Sequence, residues 1–145
     1  MPERETLERA REDAREGKSP STQAGEFVRE EMDHIREGKH GARSAKQAIA
    51  IGLSKARRAG VKLPAKGSAP ARKKAAQDTR AANRPHKVSA KRSRATENAL
   101  KREGHSAASR ASLSRQAKAT AAARGANARS QAAKKAAATR ARRAA

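Results

Sequence analysis

Large apolar residues recur at helical spacing in one stretch of the chain, residues 25–64. Of the 14 hydrophobic residues other than alanine, nine lie there. In the first half of this stretch, apolar side chains fall on one face of a helix, and charged residues lie at or beyond its edges. The apolar positions are Ala24, Phe27, Val28, Met32 and Ile35. The pattern predicts a helix that is packed on one side, begins near Ser21 or Thr22 and runs to about Glu37.

A second helix is predicted after a short loop. Gly38 is a stop signal, and Gly41 adds a second flexible point. Ser44 and Gln47 then have the three-residue spacing of an N-terminal capping box. The helix ends at Gly60, after a face made mostly of small residues. That face holds Ala45, Ala48, Ile49, Gly52, Leu53 and Ala56.

Together the two helices form a predicted helix-loop-helix hairpin over residues 21–64. Gly52 in mid-helix costs about 1 kcal/mol relative to alanine. A close crossing of the two helices would explain it, and the alternative is a glycine without a structural role. The large side chains of the stretch are too few to offset the entropy of ordering it. We therefore expect the hairpin to depend on a partner, a second copy or a ligand. Its predicted core consists of Phe27, Val28, Met32, Ile35, Ile49 and Leu53.

The segment before the hairpin and the one after it are dominated by charge. Residues 1–20 are predicted to be a charged lead-in with a solvated helix over residues 3–16, where good helix formers alternate in sign. Residues 65–91 hold many basic residues, prolines and a single large apolar residue, Val88. This composition predicts a basic linker.

Residues 92–145 form an Ala/Arg/Lys-rich tail with a possible second helix-break-helix around Gly104. The sequence REGH at residues 102–105 echoes REGKH at residues 36–40. The rest of the tail is helix-prone but has nothing to pack on. The predicted fold class is therefore mostly α: a short hairpin, a flanking charged helix and a long basic tail that is largely disordered or helical only when bound.

Charge is distributed unevenly along the chain, and this distribution gives the strongest indication of a partner. The formal net charge is +22. Residues 1–37 hold 11 of the 14 acidic residues against seven basic ones, whereas residues 38–145 hold 29 basic residues and three acidic ones. This asymmetry favours a polyanionic partner, most often nucleic acid. The alternative is that charge only keeps a chain of low hydrophobicity soluble, although acidic residues would serve that purpose equally well.

Several classes of function are disfavoured by what the sequence lacks. There is no cysteine, which excludes disulfides, thiolate chemistry and cysteine zinc sites. No apolar run approaches the length of a signal-peptide core or a membrane span, so we expect a cytoplasmic, nucleoid-associated protein without a membrane partner. No carboxylate pair occupies an apolar setting, as acid/base catalysis requires, and we expect neither an enzyme nor a cofactor. The four histidines, His34, His40, His86 and His105, lack metal-ligand spacing, so we expect surface residues and no metal.

The loop over residues 38–46 is the predicted phosphate-binding corner. Its two glycines would let the backbone approach a ligand, and the N-terminus of the second helix attracts anions. The spacing does not match a nucleotide-binding loop, and an ordinary polar turn is the alternative. Basic residues at the end of the second helix and in the tail would continue the contact track. The predicted nucleic-acid-binding residues are Lys39, His40, Arg43, Lys46, Lys55, Arg57, Arg58, Lys62, Arg72, Lys73, Lys74, Lys91, Arg92, Arg94, Lys134, Lys135, Arg140, Arg142 and Arg143.

The near absence of aromatic residues narrows the kind of nucleic acid. Readers of single strands stack bases on aromatic side chains, and Phe27 is the only aromatic residue in the chain. The composition therefore favours duplex phosphates over single strands. Sequence specificity is expected to be weak because lysine and arginine in a flexible tail contact the backbone rather than base edges.

The hairpin sequence also resembles a known group of proteins. The residues EGK at 37–39 and KQAIAI at 46–51 resemble a family of small basic bacterial proteins of uncharacterised function, labelled DNA-binding or plasmid-stabilisation proteins. The stretch 99–119 is similar to such proteins too, and the tail resembles the Ala/Lys-rich tails of linker histones. The resemblance implies a nucleoid or plasmid context and brings no catalytic residue.

Three functions remain open at this point. The first is a histone-like, sequence-tolerant protein that binds duplex DNA through its phosphates. The second is a protein-interaction adaptor that uses the acidic N-terminal part and the hairpin, either for a protein partner or for self-association. The third is an RNA- or ribosome-associated basic protein.

Overall fold

The structure, a computed structural model, describes residues 1–84 and 87–144. These residues form seven α-helices and one short 3-10 helix and no strand, which confirms the mostly α fold class. The helices are α1 (Arg4–Arg15), α2 (Pro20–Arg36), α3 (Ala45–Arg58), α4 (Ala69–Asn83), α5 (Ala90–Lys101), the 3-10 helix (Ser106–Ala108), α6 (Arg110–Ala123) and α7 (Gly125–Ala144). The chain divides into two compact units, residues 1–109 and residues 110–145. None of the described helices is both long and apolar enough to cross a membrane.

Helices α2 and α3 form the predicted hairpin. Helix α2 begins slightly earlier than expected, because Ser19 caps it and Pro20 occupies its first turn, where a missing amide hydrogen costs nothing. Phe27, Met32 and Ile35 are buried, as the apolar pattern predicts. The other three predicted core residues, Val28, Ile49 and Leu53, are half-buried. Alanines and Gly52 make up the buried face of α3.

The two helices cross closely at Gly52. A Cβ atom at this position would lie 2.7 Å from Cα of Val28 and 3.0 Å from its backbone nitrogen. Backbone atoms cannot move aside without separating the helices, so only glycine fits at the crossing. The structure thus confirms the close crossing that a glycine in mid-helix indicates.

Helix α1 lies where the sequence predicts a helix, but it is not solvated on all sides. Thr6 and Ala10 are buried, and Ala10 belongs to the same apolar cluster as Phe27. Nε of Arg9 donates to Oε2 of Glu26 across the interface at 2.6 Å. The few apolar residues of α1 are sufficient for packing because they join a cluster that contains Phe27 and Val61 and because ion pairs are added across the interface. The lead-in is therefore a third helix of the core.

The segment predicted to be a basic linker contains α4. This helix packs along α3 and buries Ala75 and Asp78. The Asp78 carboxylate accepts hydrogen bonds from Ser54, from Nε of Arg58 at 3.0 Å and from Nζ of Lys74 at 2.6 Å. A segment with one large apolar residue is held in place by a buried carboxylate, which composition alone does not reveal. The linker prediction is corrected for residues 69–83.

We predict that Asp78→Asn loosens α4 from α3. Hydrogen bonds to a charged group contribute roughly 1.5–3 kcal/mol each, but Arg58 and Lys74 are half-exposed and recover hydration when released. We expect the free energy that holds α4 against α3 to fall by about 2 kcal/mol. Relative to the wild type, amide hydrogen exchange should then become faster in α4 but not in α2. Glu97→Gln is the matched control, since Glu97 makes only an exposed pair with Lys101. Equal exchange in α4 of both variants would contradict this role for Asp78.

The Asp78 carboxylate also makes the stability of the fold depend on pH in the acidic range. Burial acts to raise the pKa of Asp78, but hydrogen bonds from Lys74, Ser54 and Arg58 outweigh it and hold the pKa below its ordinary value. A lowered folded-state pKa stabilises the protein above the unfolded-state pKa, near 4. That stability is lost as the pH falls through the folded-state pKa. Thermal unfolding between pH 5 and pH 3 should therefore show a smaller decline in Tm for Asp78→Asn than for the wild type.

The 3-10 helix completes the cover of the hairpin. Ala107 and Ala108 are buried and pack against α2 and α3. Nε of Arg36 donates to the carbonyl oxygen of Ala108 at 3.2 Å. The hairpin was expected to need a partner, and within residues 1–109 part of that cover comes from the chain itself.

The second unit consists of α6 and α7. Neither helix has a buried residue among those described. The tail is helical in the structure over these ranges and over α5, so the disordered alternative is not observed. Alanine is the strongest helix former, which accounts for helices in a segment that packs so little.

Candidate functional site

The loop between α2 and α3 is closed by the predicted cap. Oγ of Ser44 accepts a hydrogen bond from the backbone nitrogen of Gln47 at 3.2 Å. Oε1 of Gln47 in turn accepts from the backbone nitrogen of Arg43 at 2.7 Å. The first bond confirms Ser44 as the cap of α3, and the second joins Gln47 to the residue before the cap and not to the backbone nitrogen of Ser44, as a capping box would.

The loop backbone binds another part of the same chain. The backbone nitrogens of Gly41 and Ala42 donate to the carbonyl oxygens of Leu100 and Gly104 at 2.9 and 3.0 Å. A Cβ atom on Gly41 would lie 2.0 Å from the carbonyl oxygen of Glu103. The close approach that Gly41 permits is therefore to residues 100–104, where the sequence interpretation had put a phosphate. The donors Gly41 and Ala42 directly follow the stretch REGKH, and the acceptor Gly104 belongs to the similar stretch REGH.

Of the four side chains predicted to surround the loop, Lys39 is exposed but held by two carboxylates, and His40 faces inward. Nζ of Lys39 lies 3.2 Å from Glu3 and 3.0 Å from Glu37, and these hydrogen bonds raise the pKa of Lys39. The side chain of His40 is only 15% exposed and lies beside Glu31. Arg43 and Lys46 are exposed. The predicted corner is thus reduced to these last two side chains.

The basic residues at the end of α3 are also largely engaged. Lys55 pairs with Glu30 and Glu31, and Arg58 pairs with Asp78. A guanidinium nitrogen of Arg57 reaches the carbonyl oxygen of Pro64 at 3.5 Å. Of the four predicted contact residues here, Lys62 alone is both exposed and free of a side-chain partner among the described residues.

The remaining predicted contact residues divide in the same way. Lys74 is bound to Asp78. The others are exposed and make no ion pair within the part of the chain that the structure describes. These are Arg72, Lys73, Lys91, Arg92, Arg94, Lys134, Lys135, Arg140, Arg142 and Arg143.

Most of the acidic side chains form ion pairs within the chain. Across residues 1–84 and 87–144, 12 of the 14 acidic side chains lie in ion pairs, and those pairs use nine of the 36 lysines and arginines. Residues 110–145 hold ten basic residues and no acidic one. The positive charge that remains unpaired therefore lies largely on exposed helices of the C-terminal half.

Sequence reasoning missed a buried polar cluster between α2 and α3. Glu30 and Glu31 are buried and share the ammonium group of Lys55. Burial acts to raise the pKa of Glu30, but hydrogen bonds from Thr6, from the backbone of Glu3 and from Lys55 leave that pKa lowered. The sequence did carry a signal for this cluster. Glu31 lies four residues after Phe27 and four before Ile35, which puts it on the apolar face of α2.

Two histidines belong to this cluster. The rings of His34 and His40 are 6.1 Å apart between centroids and nearly perpendicular, and their side chains are 13% and 15% exposed. The expectation of surface histidines is wrong for these two, because the loop returns His40 to the face of α2 that carries His34. His105 is exposed, and His86 lies outside the described residues.

Comparison with known proteins identifies similarity in one region. Residues 18–67 match the model of a family of unknown function (DUF6496). The match spans α2, the loop and α3 and covers about a third of the chain. The chain matches no curated protein and no solved structure. The similarity therefore coincides with the hairpin and its buried cluster and assigns no activity.

Proposed function

We propose that the protein is a histone-like, sequence-tolerant binder of duplex DNA that acts through contacts with backbone phosphates. The observation that carries this proposal is the unpaired positive charge on exposed helices, above all the ten basic residues of residues 110–145 with no acidic residue among them. A protein that neutralises phosphates with lysine and arginine gains affinity by releasing condensed counterions.

The shape of the second unit supports contact along a backbone. Helix α7 has 20 residues, which corresponds to about 30 Å, or roughly nine base pairs of duplex. Its basic residues are interspersed with alanine, and none of its described residues is buried. Such a helix offers cations over its length without bulky side chains that would prevent close approach. Backbone contact of this kind reads little sequence.

We also propose that binding of DNA stabilises the helices of the tail. Helices α6 and α7 pack little apolar surface, so tertiary contacts contribute little to their stability. Phosphates bound along them would reduce the repulsion between neighbouring cations. Thermal melting of these helices, followed by circular dichroism at 222 nm, should then shift to higher temperature when duplex DNA is mixed with the protein.

Duplex is favoured over single strands by the absence of stacking residues. Phe27 is the only aromatic residue in the chain and is 1% exposed, so it is not accessible to a base. Single-strand binding relies on such platforms. The resemblance to basic proteins labelled DNA-binding or plasmid-stabilisation adds a cytoplasmic, nucleoid or plasmid context to the proposal. No catalytic step and no cofactor are part of it.

The test is the dependence of duplex affinity on salt. With about eight phosphates contacted, log K should fall with log salt at a slope near −7. Lys134→Gln/Lys135→Gln should reduce the magnitude of this slope by about 2. The matched control is Arg4→Gln/Lys101→Gln, which removes two cations held in exposed ion pairs and should leave the slope unchanged. Affinity that barely varies with salt would contradict the electrostatic mechanism.

An experiment in which structured RNA competes with duplex DNA for the protein distinguishes DNA binding from RNA binding. Phosphate contact operates on both, so RNA or ribosome association is the outcome if RNA displaces duplex DNA at equal nucleotide concentration. The adaptor alternative loses support from the ion pairs, because most of the acidic side chains of residues 1–37 that could attract a basic partner are already paired within the chain.

A further inference from the structure

Glu31 is a buried carboxylate with one unused oxygen. The residue is 0% exposed. Its Oε1 atom accepts a hydrogen bond from Lys55, but Oε2 is buried and has no hydrogen-bond partner. The group near it is Nε2 of His40, at 3.5 Å. A buried carboxylate oxygen without a donor is costly, so this atom requires an electropositive neighbour.

The hydrogen bonds of the two histidines determine which ring nitrogens face Glu31. Nε2 of His34 lies 2.9 Å from a carboxylate oxygen of Glu3, and Nδ1 of His40 lies 3.0 Å from the carbonyl oxygen of Gly41. Both oxygens can only accept, so both of these nitrogens carry the hydrogen. In the neutral rings, Nδ1 of His34 and Nε2 of His40 are therefore lone-pair donors.

These lone pairs converge with the carboxylate. Nδ1 of His34 lies 3.8 Å from Oε1 of Glu31, and one ligand atom from each of the three residues lies within 4.8 Å of the other two. Ligands about 2.0–2.1 Å from a tetrahedral zinc ion lie roughly 3.3–3.4 Å apart. Nε2 of His40 lies 3.5 Å from Oε2 of Glu31, close to this value. The three ligand atoms lie within 4.8 Å of one another, so side-chain rotations of His34 and Glu31 would bring all three groups around one ion.

We propose that Glu31, His34 and His40 bind a divalent transition-metal ion, for which zinc is the best fit. Two imidazoles with one carboxylate are a familiar zinc ligand set that leaves a fourth position for water. Magnesium and calcium prefer all-oxygen sites. This inference is independent of the proposed binding of DNA.

The surroundings have the outer shell that such a site needs. Metal-binding histidines donate their second ring hydrogen to a carboxylate or a backbone carbonyl, and ligand carboxylates are themselves hydrogen-bonded. Glu3, the Gly41 carbonyl and Lys55 occupy these three roles. Oε1 of Glu3 lies 2.9 Å from Nε2 of His34 and holds the ring in its orientation. Lys55 occupies Oε1 and leaves Oε2 for the ion.

An ion can reach the cluster from solvent. Glu31, His34 and His40 line an open cleft of about 580 Å³ that Arg92 and Leu100 of α5 border on another side. Two of the ligands lie on α2, and the third lies in the loop that binds residues 100–104. A bound ion would therefore fasten this loop to α2.

Titration of the metal-free full-length protein with ZnCl₂ tests the proposal. Calorimetry at pH 7.5 should show saturable binding of one zinc ion per chain, and Tm should rise with zinc but not with MgCl₂. His40→Gln should weaken zinc binding by more than about 100-fold, beyond the 10–100-fold that loss of an outer-shell partner costs. Glu31→Gln, which preserves the shape of the side chain, should do the same.

His105→Gln is the matched control. His105 is exposed and not part of the cluster, so this variant should bind zinc with wild-type affinity. Absence of saturable zinc binding by the wild-type protein would overturn the proposal whether or not the variants fold. Equal affinity in the wild type, His40→Gln and Glu31→Gln would overturn it as well. A result in either direction leaves the salt dependence of DNA binding unaffected and so does not bear on the proposed function.

Discussion

Removing residues 110–145 is expected to weaken duplex binding by about a thousandfold at 0.15 M salt. The deletion removes ten basic residues and no acidic one. A slope of about −0.9 per phosphate means that each contact contributes roughly 0.7 log units of affinity at this salt concentration. If the deletion removes four of about eight phosphate contacts, the total loss is about three log units. The salt slope should fall from about −7 to about −4. Fluorescence anisotropy of a labelled duplex at several salt concentrations measures both quantities.

A full-length control variant separates the effect of charge on DNA affinity from the effect of shortening the chain. Replacing the ten basic residues of residues 110–145 by glutamine keeps the helix propensity, because glutamine is close to lysine and arginine on that scale. This variant should bind as weakly as the deletion does. If it binds as tightly as the wild type, shape and not phosphate contact explains the contribution of the tail, and the proposed mechanism is wrong.

Replacing Gly52 by alanine is expected to lower the free energy of unfolding by about 2 kcal/mol. Alanine gains about 1 kcal/mol in helix propensity, but its Cβ would lie 2.7 Å from Cα of Val28, which forces α2 and α3 apart. Overpacking of this kind costs roughly 1–3 kcal/mol and occasionally more, and here the obstacle is backbone. Thermal unfolding followed by circular dichroism should show a fall in Tm of about 10 °C, at about 4–8 °C per kcal/mol.

Gly25→Ala is the matched control for this prediction. Gly25 lies inside α2, and a Cβ atom there would meet nothing within 4 Å. The same chemical change should therefore stabilise the protein by about 1 kcal/mol. Opposite signs for the two glycines would identify the helix crossing as the cause, whereas a gain in stability at both positions would show that α2 and α3 do not pack as described.

Much of the hairpin could be predicted from the sequence because its signals are local. The apolar spacing of α2, the cap at Ser44 and the glycine at position 52 each depend on residues within one or two helical turns. The alternation of α1 also predicts a helix correctly. Its packing against α2 could not be foreseen, because Thr6 and Ala10 are small and the interface is held partly by ion pairs.

The sequence predicts which basic residues lie near the loop and the end of α3, but it does not predict which carboxylates they contact. Sequence reasoning grouped Lys39, His40 and Lys55 with the other basic residues as phosphate contacts. The structure pairs each of them with a carboxylate of residues 1–37 or sets it beside one. The acidic and basic parts of the chain are thus complementary within the fold. The pairs of Lys39 with Glu3 and of Lys55 with Glu30 and Glu31 join residues more than 20 positions apart and depend on helix packing.

The sequence by itself determined the helical class, the hairpin and the excess of positive charge, because propensity, apolar period and composition are properties of neighbouring residues. Only the tertiary structure decided which charges are unpaired and which groups share a buried site. Glu31 and His40 are nine positions apart, in a helix and in a loop, and Asp78 lies 20 positions beyond Arg58. Their chemistry arises from contacts that form only when α2, α3 and α4 pack, and the energetic effect of a charge depends on its burial and its partners.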